Sequence, residues 1–243
     1  MSHGSRVAGH ERQHESRVSS HETVAVAGPL VTRDSRLATP TRMLLIFAAL
    51  LVGLAWVRPL WHIGLVAPQY PEGIGMFIWA NQITGEHPQD LHSLNGLNHY
   101  IGMKAIVPES IPELRFMPIV LGVLVVSGLG AALAGRRKVL LAWTACFFLV
   151  ALAGLADFWR WGYDYGHDLD PTAAIKVPGM SYQPPLLGTK QLLNFRATSW
   201  PALGGWALIV ALTVALLLCF LEWRRARRMT LVAASALTFH DER

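Results

Sequence analysis

The chain has 243 residues, of which 52% are hydrophobic and only 15% are charged, and its formal net charge is +5. With a positive mean hydropathy of +0.34, this composition excludes an ordinary soluble domain and indicates a polytopic membrane protein. The basic residues cluster beside apolar runs, so the charge is interpreted as a membrane orientation signal, and nucleic acid is excluded as a partner. Cys146 and Cys219 lie inside apolar runs, where neither a disulfide with a loop nor a zinc site is expected.

Residues 1–40 are polar and too poor in apolar side chains to bury a core, so a disordered tail is predicted. The tail contains a short duplication, in which residues 3–11 are echoed by residues 14–22. Histidine-bearing tracts of this kind can bind metals weakly. A low-complexity extension without a site is the preferred interpretation.

Four apolar segments follow, and each predicts a transmembrane helix. The predicted helices cover about residues 41–62, 116–134, 139–157 and 201–222. Arg58 interrupts the first segment, so it is expected to lie near the membrane surface and extend its charge outward. Only Gly135-Arg-Arg-Lys138 separates the second and third segments, which predicts a tight hairpin. Residues 229–243 are predicted to form a C-terminal tail.

The basic residues fall on one side of the predicted four-helix arrangement. They are Arg33, Arg36, Arg42, Arg136, Arg137, Lys138, Arg224, Arg225, Arg227 and Arg228. Basic residues at helix ends favour the cytoplasmic side, so both termini are expected in the cytoplasm and the protein in a bacterial inner membrane. The expected fold is an all-α, four-helix membrane domain over residues 41–228. Its two long extracytoplasmic loops, 63–115 and 157–200, are predicted to form a cap.

These outer loops far exceed the ~4–6 residues of a usual connection, and long ordered loops usually carry function. Residues 74–79 form an aromatic-bearing amphipathic stretch that is expected at the membrane interface. The aromatic residues between Phe158 and Tyr165 are interpreted as an interfacial belt. Asp170, which precedes Pro171, is expected to cap a turn or a helix start and not to bind calcium.

The first loop contains Asn95-Gly-Leu-Asn-His-Tyr-Ile-Gly-Met-Lys104, which places His99 and Met103 four residues apart. On a helix, that spacing would put the imidazole and the thioether on one face, within reach of one metal ion. The alternative is that His99 hydrogen-bonds within a folded loop while Met103 fills apolar space.

Three segments resemble a poorly characterised family of bacterial four-helix membrane proteins: APQYPEG (67–73), NGLNHYIGMK (95–104) and GHDLDPTAAIKVPGMSYQPPLLGTKQLLNF (166–195). Members of that family are encoded among genes for copper handling and nitrous-oxide-reductase maturation, often near a copper-chaperone lipoprotein. The resemblance covers both outer loops and the helices between them, but not residues 1–40. It implies an accessory role in metalloenzyme biogenesis or associated electron transfer, with a periplasmic copper chaperone or copper enzyme as partner.

Copper is the expected cofactor, because Cu(I) prefers thioether and imidazole ligands and the predicted outer loops contain no cysteine. The first expected ligands are His99 and Met103, and the second pair is Met180 and His167, provided that the two loops pack together. Further donors in reserve are His62, His87, His92 and Met76.

Two other classes of protein remain open. One is a membrane electron-transfer module in which His and Met are axial ligands of haem; without a CxxCH motif, that haem would be non-covalent. The other is a structural assembly subunit whose loops bind a partner and no small ligand. An enzyme is not expected, because the sequence has no nucleophile motif, phosphate loop or complete set of metal ligands at a diagnostic spacing.

Overall fold

A computed structural model gives the structure of the chain and describes residues 36–241, except 176, 178 and 193. The predicted N-terminal tail therefore lies almost wholly outside the described residues. The helices are α1 (Thr39–Val57), α2 (Asp90–Ile101), α3 (Glu113–Ala134), α4 (Arg137–His167) and α5 (Leu203–Asp241), with a short 3₁₀ helix at Pro108–Ser110. The strands are β1 (Trp61–Ala67), β2 (Tyr70–Ile78), β3 (Ile83–Gly85), β4 (Gly188–Leu192) and β5 (Phe195–Pro201).

Four of the helices are long and apolar enough to cross a membrane: α1, α3, α4 and α5 as far as Met229. This confirms the prediction of a multi-pass membrane protein. Two of these helices extend well beyond their predicted ends. Helix α4 continues from the predicted end near 157 to His167, and α5 continues through most of the predicted tail to Asp241.

The expectation of an all-α protein is wrong, because the regions assigned to loops form a five-stranded antiparallel sheet with the order β3-β2-β1-β5-β4. Strand β1 is central and pairs on one side with β2 and on the other with β5. The amphipathic stretch 74–79 is mostly β2, and Met76 is buried in the sheet's core. We call β1–β5, α2 and the last turns of α4 the sheet module.

Helix α1 ends at Val57, before the predicted end near residue 62. Pro59 is the physical cause, because a residue that precedes proline disfavours the α conformation. Arg58 accordingly has an extended backbone, with φ −132° and ψ 148°. The chain passes from Arg58 through Pro59 and Leu60 directly into β1, so the helix bundle and the sheet share one short junction.

The bundle and the sheet module have separate apolar cores. The bundle core includes Leu45, Val52, Leu140 and Phe147. The sheet core is formed by β-strand and α2 residues, and α4 adds Phe158, Trp161 and Tyr165 to it. These three aromatic residues are spaced by three and four positions, so they share one helix face. Trp159 and Tyr163 lie on the exposed side, so only part of the predicted aromatic belt faces outward.

The other end of the bundle, away from the sheet, is held by polar contacts between helices. The Arg42 guanidinium donates to the carbonyl oxygens of Ala132 and Leu133 at the end of α3, at 2.8 and 3.0 Å. The buried Glu222 carboxylate accepts hydrogen bonds from Thr41 on α1 and Arg225 on α5. These contacts satisfy the C-terminal carbonyls of α3 and pair a carboxylate that would otherwise be costly to bury.

Gly128 and Gly130 on α3 provide a matched test of the bundle packing. A Cβ atom at Gly128 would lie 2.8 Å from the Trp143 ring and 3.1 Å from Ala49, whereas a Cβ at Gly130 would meet nothing within 4 Å. We expect Gly128→Ala to lower the stability of the detergent-purified protein by about 1–3 kcal/mol through overpacking. Gly130→Ala should be neutral or slightly stabilising, since alanine favours a helix. Thermal unfolding measures both; equal midpoints for the two variants would contradict the described packing of α3 against α4.

Candidate functional site in the sheet module

The stretch 95–104 begins as helix α2 but does not continue as one. Helix α2 ends at Ile101, and Gly102 takes a left-handed conformation with φ 79°, which favours glycine at this position. His99 is therefore in the last helical turn and exposed, whereas Met103 lies beyond the helix and is half-buried. The expectation that the two side chains share one helix face is wrong, because the helix ends between them.

The two asparagines of this stretch hold the chain that follows α2. The Asn95 side chain forms paired hydrogen bonds with the backbone of Ile106, accepting from its N–H at 2.7 Å and donating to its carbonyl at 3.0 Å. Asn98 is buried and donates to the carbonyl of Lys104 at 3.3 Å. Residues 103–106 are thus folded back along α2, which turns Met103 toward the sheet.

The second predicted loop lies directly against this stretch. The Asp170 N–H donates to the Gly102 carbonyl at 2.8 Å, and the Ile175 N–H donates to the Tyr100 carbonyl at 2.9 Å. The Lys104 ammonium pairs with the exposed Asp168 carboxylate, which raises the pKa of Lys104. We call this contact between residues 99–104 and 167–175 the seam. The two predicted loops therefore pack together along the seam, which includes His99, Met103 and His167 but not Met180.

Of the second pair of expected ligands, His167 belongs to the seam and Met180 lies outside it. His167 is the last residue of α4; its ring stacks on Tyr163 with centroids 4.0 Å apart, and Nδ1 lies 3.0 Å from the Tyr163 carbonyl oxygen. Met180 is half-buried in a turn, where its N–H donates to Val177. In the part of the chain that the structure describes, no three His, Cys, Asp or Glu side chains form a metal-ligating group. A metal at the seam would therefore need methionine sulfur.

The acidic residues near the seam have structural partners. Asp170 accepts hydrogen bonds from the Thr172 N–H and hydroxyl at 2.7 and 2.6 Å, so it stabilises a turn, as the sequence predicts. Asp164 lies 3.9 Å from Arg160 on the same helix. Two of the reserve donors are also paired: His62 lies 3.1 Å from Glu86, and His87 lies 3.1 Å from Asp90.

Asp90 is the best-defined acidic group of the sheet module. Its buried carboxylate accepts hydrogen bonds from the N–H groups of Gly75 and His87, at 3.0 and 3.1 Å, and contacts the His87 ring. Burial by itself would raise the pKa of Asp90, but these hydrogen bonds and the His87 ring outweigh burial and hold the pKa below its ordinary value. The carboxylate joins the start of α2 to β2.

An apolar cavity of about 90 Å³ lies beside the seam, between the sheet, α2 and α4. Met103 lines it, as does the buried Met76 of β2. Trp161 and Tyr165 of α4 close another side. The sequence analysis missed this cavity, because its walls come from regions assigned to loops.

Tyr182 is a second feature that sequence reasoning missed. It lines the cavity, is only 3% exposed, and its hydroxyl has no hydrogen-bond partner among the described residues. Its backbone N–H donates to the Gly166 carbonyl at 3.0 Å, which holds residues 182–184 against α4. Tyr182 belongs to the segment MSYQPP, whose chain order alone carries no signal that it is buried.

No protein-family model matches this chain, and a comparison with curated proteins found no match.

The close contact at Gly166 can be tested against Gly162 on the same helix. A Cβ at Gly166 would lie 2.4 Å from the backbone of Gln183, while a Cβ at Gly162 would meet nothing within 4 Å. We expect Gly166→Ala to displace residues 182–184 and lower stability by about 1–3 kcal/mol, with faster proteolysis of this segment. Gly162→Ala should leave both measurements unchanged. Equal protease resistance in the two variants would show that residues 182–184 do not pack on α4.

The lowered pKa of Asp90 predicts a pH-dependent contribution to stability. Because the folded pKa lies below the ordinary value of 3.8, the contribution is complete above that pH and is lost as the pH falls through the folded pKa. Asp90→Asn should therefore unfold more easily than the wild type above pH 3.8, by about 1.5–3 kcal/mol, and the difference should shrink in more acidic buffer. Thermal unfolding as a function of pH measures this. A difference that persists unchanged in acid would rule out the Asp90 charge as its cause.

Proposed function

We propose that this chain is an inner-membrane accessory protein for copper handling, or for the maturation of a copper-dependent respiratory enzyme, and that its sheet module faces the periplasm. The resemblance of segments 67–73, 95–104 and 166–195 to the family described above supports this function. The excess of basic residues at the end of the bundle away from the sheet supports the orientation.

The observation that carries the proposal is the seam itself. Two of the segments that bear the resemblance are far apart in the chain, yet residues 99–104 and 167–175 are hydrogen-bonded to each other. A shared site would explain why histidine and methionine donors occur in both segments. In this proposal, His99 and Met103 are the first ligands of Cu(I), and Met180 and His167 are the second pair.

The environment of these donors suits a soft, exchangeable ion. Met103 is half-buried beside an apolar wall that also contains the Met76 thioether, whereas His99 is exposed at the end of α2. Thioether and imidazole are preferred by Cu(I) over harder cations. An exposed imidazole would leave an ion bound to it accessible to a copper chaperone or copper enzyme, as transfer between proteins requires.

The experiment is Cu(I) loading of the detergent-purified full chain, with copper counted after dialysis against a Cu(I) chelator. Cys146→Ala and Cys219→Ala should be present in every sample, because thiolates would compete for the ion. We expect about one retained copper per chain, and its loss in His99→Ala/Met103→Leu. Leucine replaces the thioether with a side chain of similar volume, so the cavity wall is kept while the sulfur is removed.

The matched control is His240→Ala/Met117→Leu, which removes the same two functional groups from positions on α5 and α3. It should retain copper and unfold at the same temperature as the ligand variant. Equal copper in both double variants would overturn the assignment of His99 and Met103.

If the wild type retains neither copper nor haem, an assembly subunit that binds no small ligand replaces the proposal. A Soret band in the purified protein would instead favour electron transfer.

A further inference from the structure

The cavity of the sheet module has room for a molecule but few groups to bind water. Its volume is about 90 Å³, well above the ~10–15 Å³ that one ordered water needs. A buried water also needs two to four polar partners, whereas these walls consist mainly of aliphatic and aromatic side chains such as Ile63, Leu94 and Phe195. A space of this kind is better suited to an apolar occupant than to water.

Tyr182 indicates what else the occupant should carry. This residue is only 3% exposed, and its hydroxyl has no hydrogen-bond partner in the described part of the chain. A buried hydroxyl without a partner is destabilising, and native proteins rarely leave one unsatisfied. A phenolic O–H can rotate to donate to an oxygen acceptor. The Trp161 indole N–H, another buried donor of the lining, also has no partner among the described residues. An occupant with one acceptor oxygen would satisfy one of these two donors.

The lining of the cavity favours an uncharged ligand. No Asp, Glu, Lys, Arg or His is among the lining residues of the described chain. A charged ligand would lose its hydration here without gaining a partner, so the ligand should be uncharged.

We propose that this cavity binds a small, uncharged molecule that is apolar except for one carbonyl-type oxygen, and that the Tyr182 hydroxyl donates a hydrogen bond to that oxygen. The site is separate from copper binding at the seam, because it needs the volume of Met103 but not its sulfur.

Two probes of nearly identical shape test the proposal: cyclopentanone, which has a carbonyl oxygen, and methylenecyclopentane, which has a CH₂ group in its place. Their relative affinities are measured by saturation-transfer NMR on the full chain in detergent, in wild type and in Tyr182→Phe. Comparing the ratio between the two proteins cancels the partitioning of each probe into detergent. A net hydrogen bond contributes a factor of about 2 to 12 in affinity. The ratio of ketone affinity to hydrocarbon affinity should therefore fall by that factor in Tyr182→Phe, while the hydrocarbon still binds.

Ala197→Val tests the location of the site. Ala197 lies in the cavity wall on β5 and is buried, so a larger side chain should fill the space and weaken binding of both probes at least tenfold. Thr189→Val, on the neighbouring strand β4 and outside the cavity, is the control and should change neither affinity. If neither probe binds the wild type, the cavity is only a packing void and the proposal is overturned. An unchanged ketone preference in Tyr182→Phe would show that Tyr182 donates no hydrogen bond to the ligand, and this result would overturn the proposal.

Discussion

The structure depends on a close backbone contact where the helix bundle meets the sheet. At this junction, the Gly204 N–H donates to the Pro59 carbonyl at 2.9 Å and the Ala202 N–H donates to the Leu60 carbonyl at 3.0 Å. A Cβ on Gly205 would lie 2.2 Å from the Leu60 carbonyl oxygen, so only glycine permits this approach. The contact brings the end of α1 and the start of α5 together, and it thereby sets the pairing of β1 with β5.

The sheet module follows from that junction. Once Trp61 is paired with Pro201, the register along β1 and β5 places Ile63 opposite Ser199, both of them buried. The Trp61 indole donates to the Ser199 hydroxyl at 2.7 Å and packs near Phe158, with ring centroids 5.1 Å apart. Helix α4 is thus attached to the sheet by its aromatic face. This attachment explains why α4 continues far beyond the length that the apolar run alone requires.

The seam and the cavity are two consequences of one local fold. Gly102 ends α2, the side chains of Asn95 and Asn98 fold the next residues back, and the carbonyls of Tyr100 and Gly102 receive the second segment. Met103 is consequently turned into the wall of the cavity, while His99 stays exposed on the other side of the break. A copper site at the seam and a neutral ligand in the cavity would be neighbours.

The sequence alone determined the four membrane helices and the tight turn between α3 and α4, because the length and apolarity of a run are local properties. It also contains local signals for the end of α1 and for a buried face of α4. Pro59 was sufficient to end α1 before residue 60, and the spacing of Phe158, Trp161 and Tyr165 was sufficient to indicate one buried helix face. Asp170 was correctly expected to stabilise a turn.

Only the tertiary structure decided the rest. Strand β1 contains His62 and Gly64 among its apolar residues. It is a central strand only because it also pairs with β5, more than a hundred residues away in the chain, where Trp200 lies opposite His62. The burial of Tyr182 and Met76 likewise depends on which segments meet, since chain order carries no record of contacts between distant residues. Helix-forming runs can be recognised one at a time, whereas a sheet and its cavity exist only once all their strands are assembled.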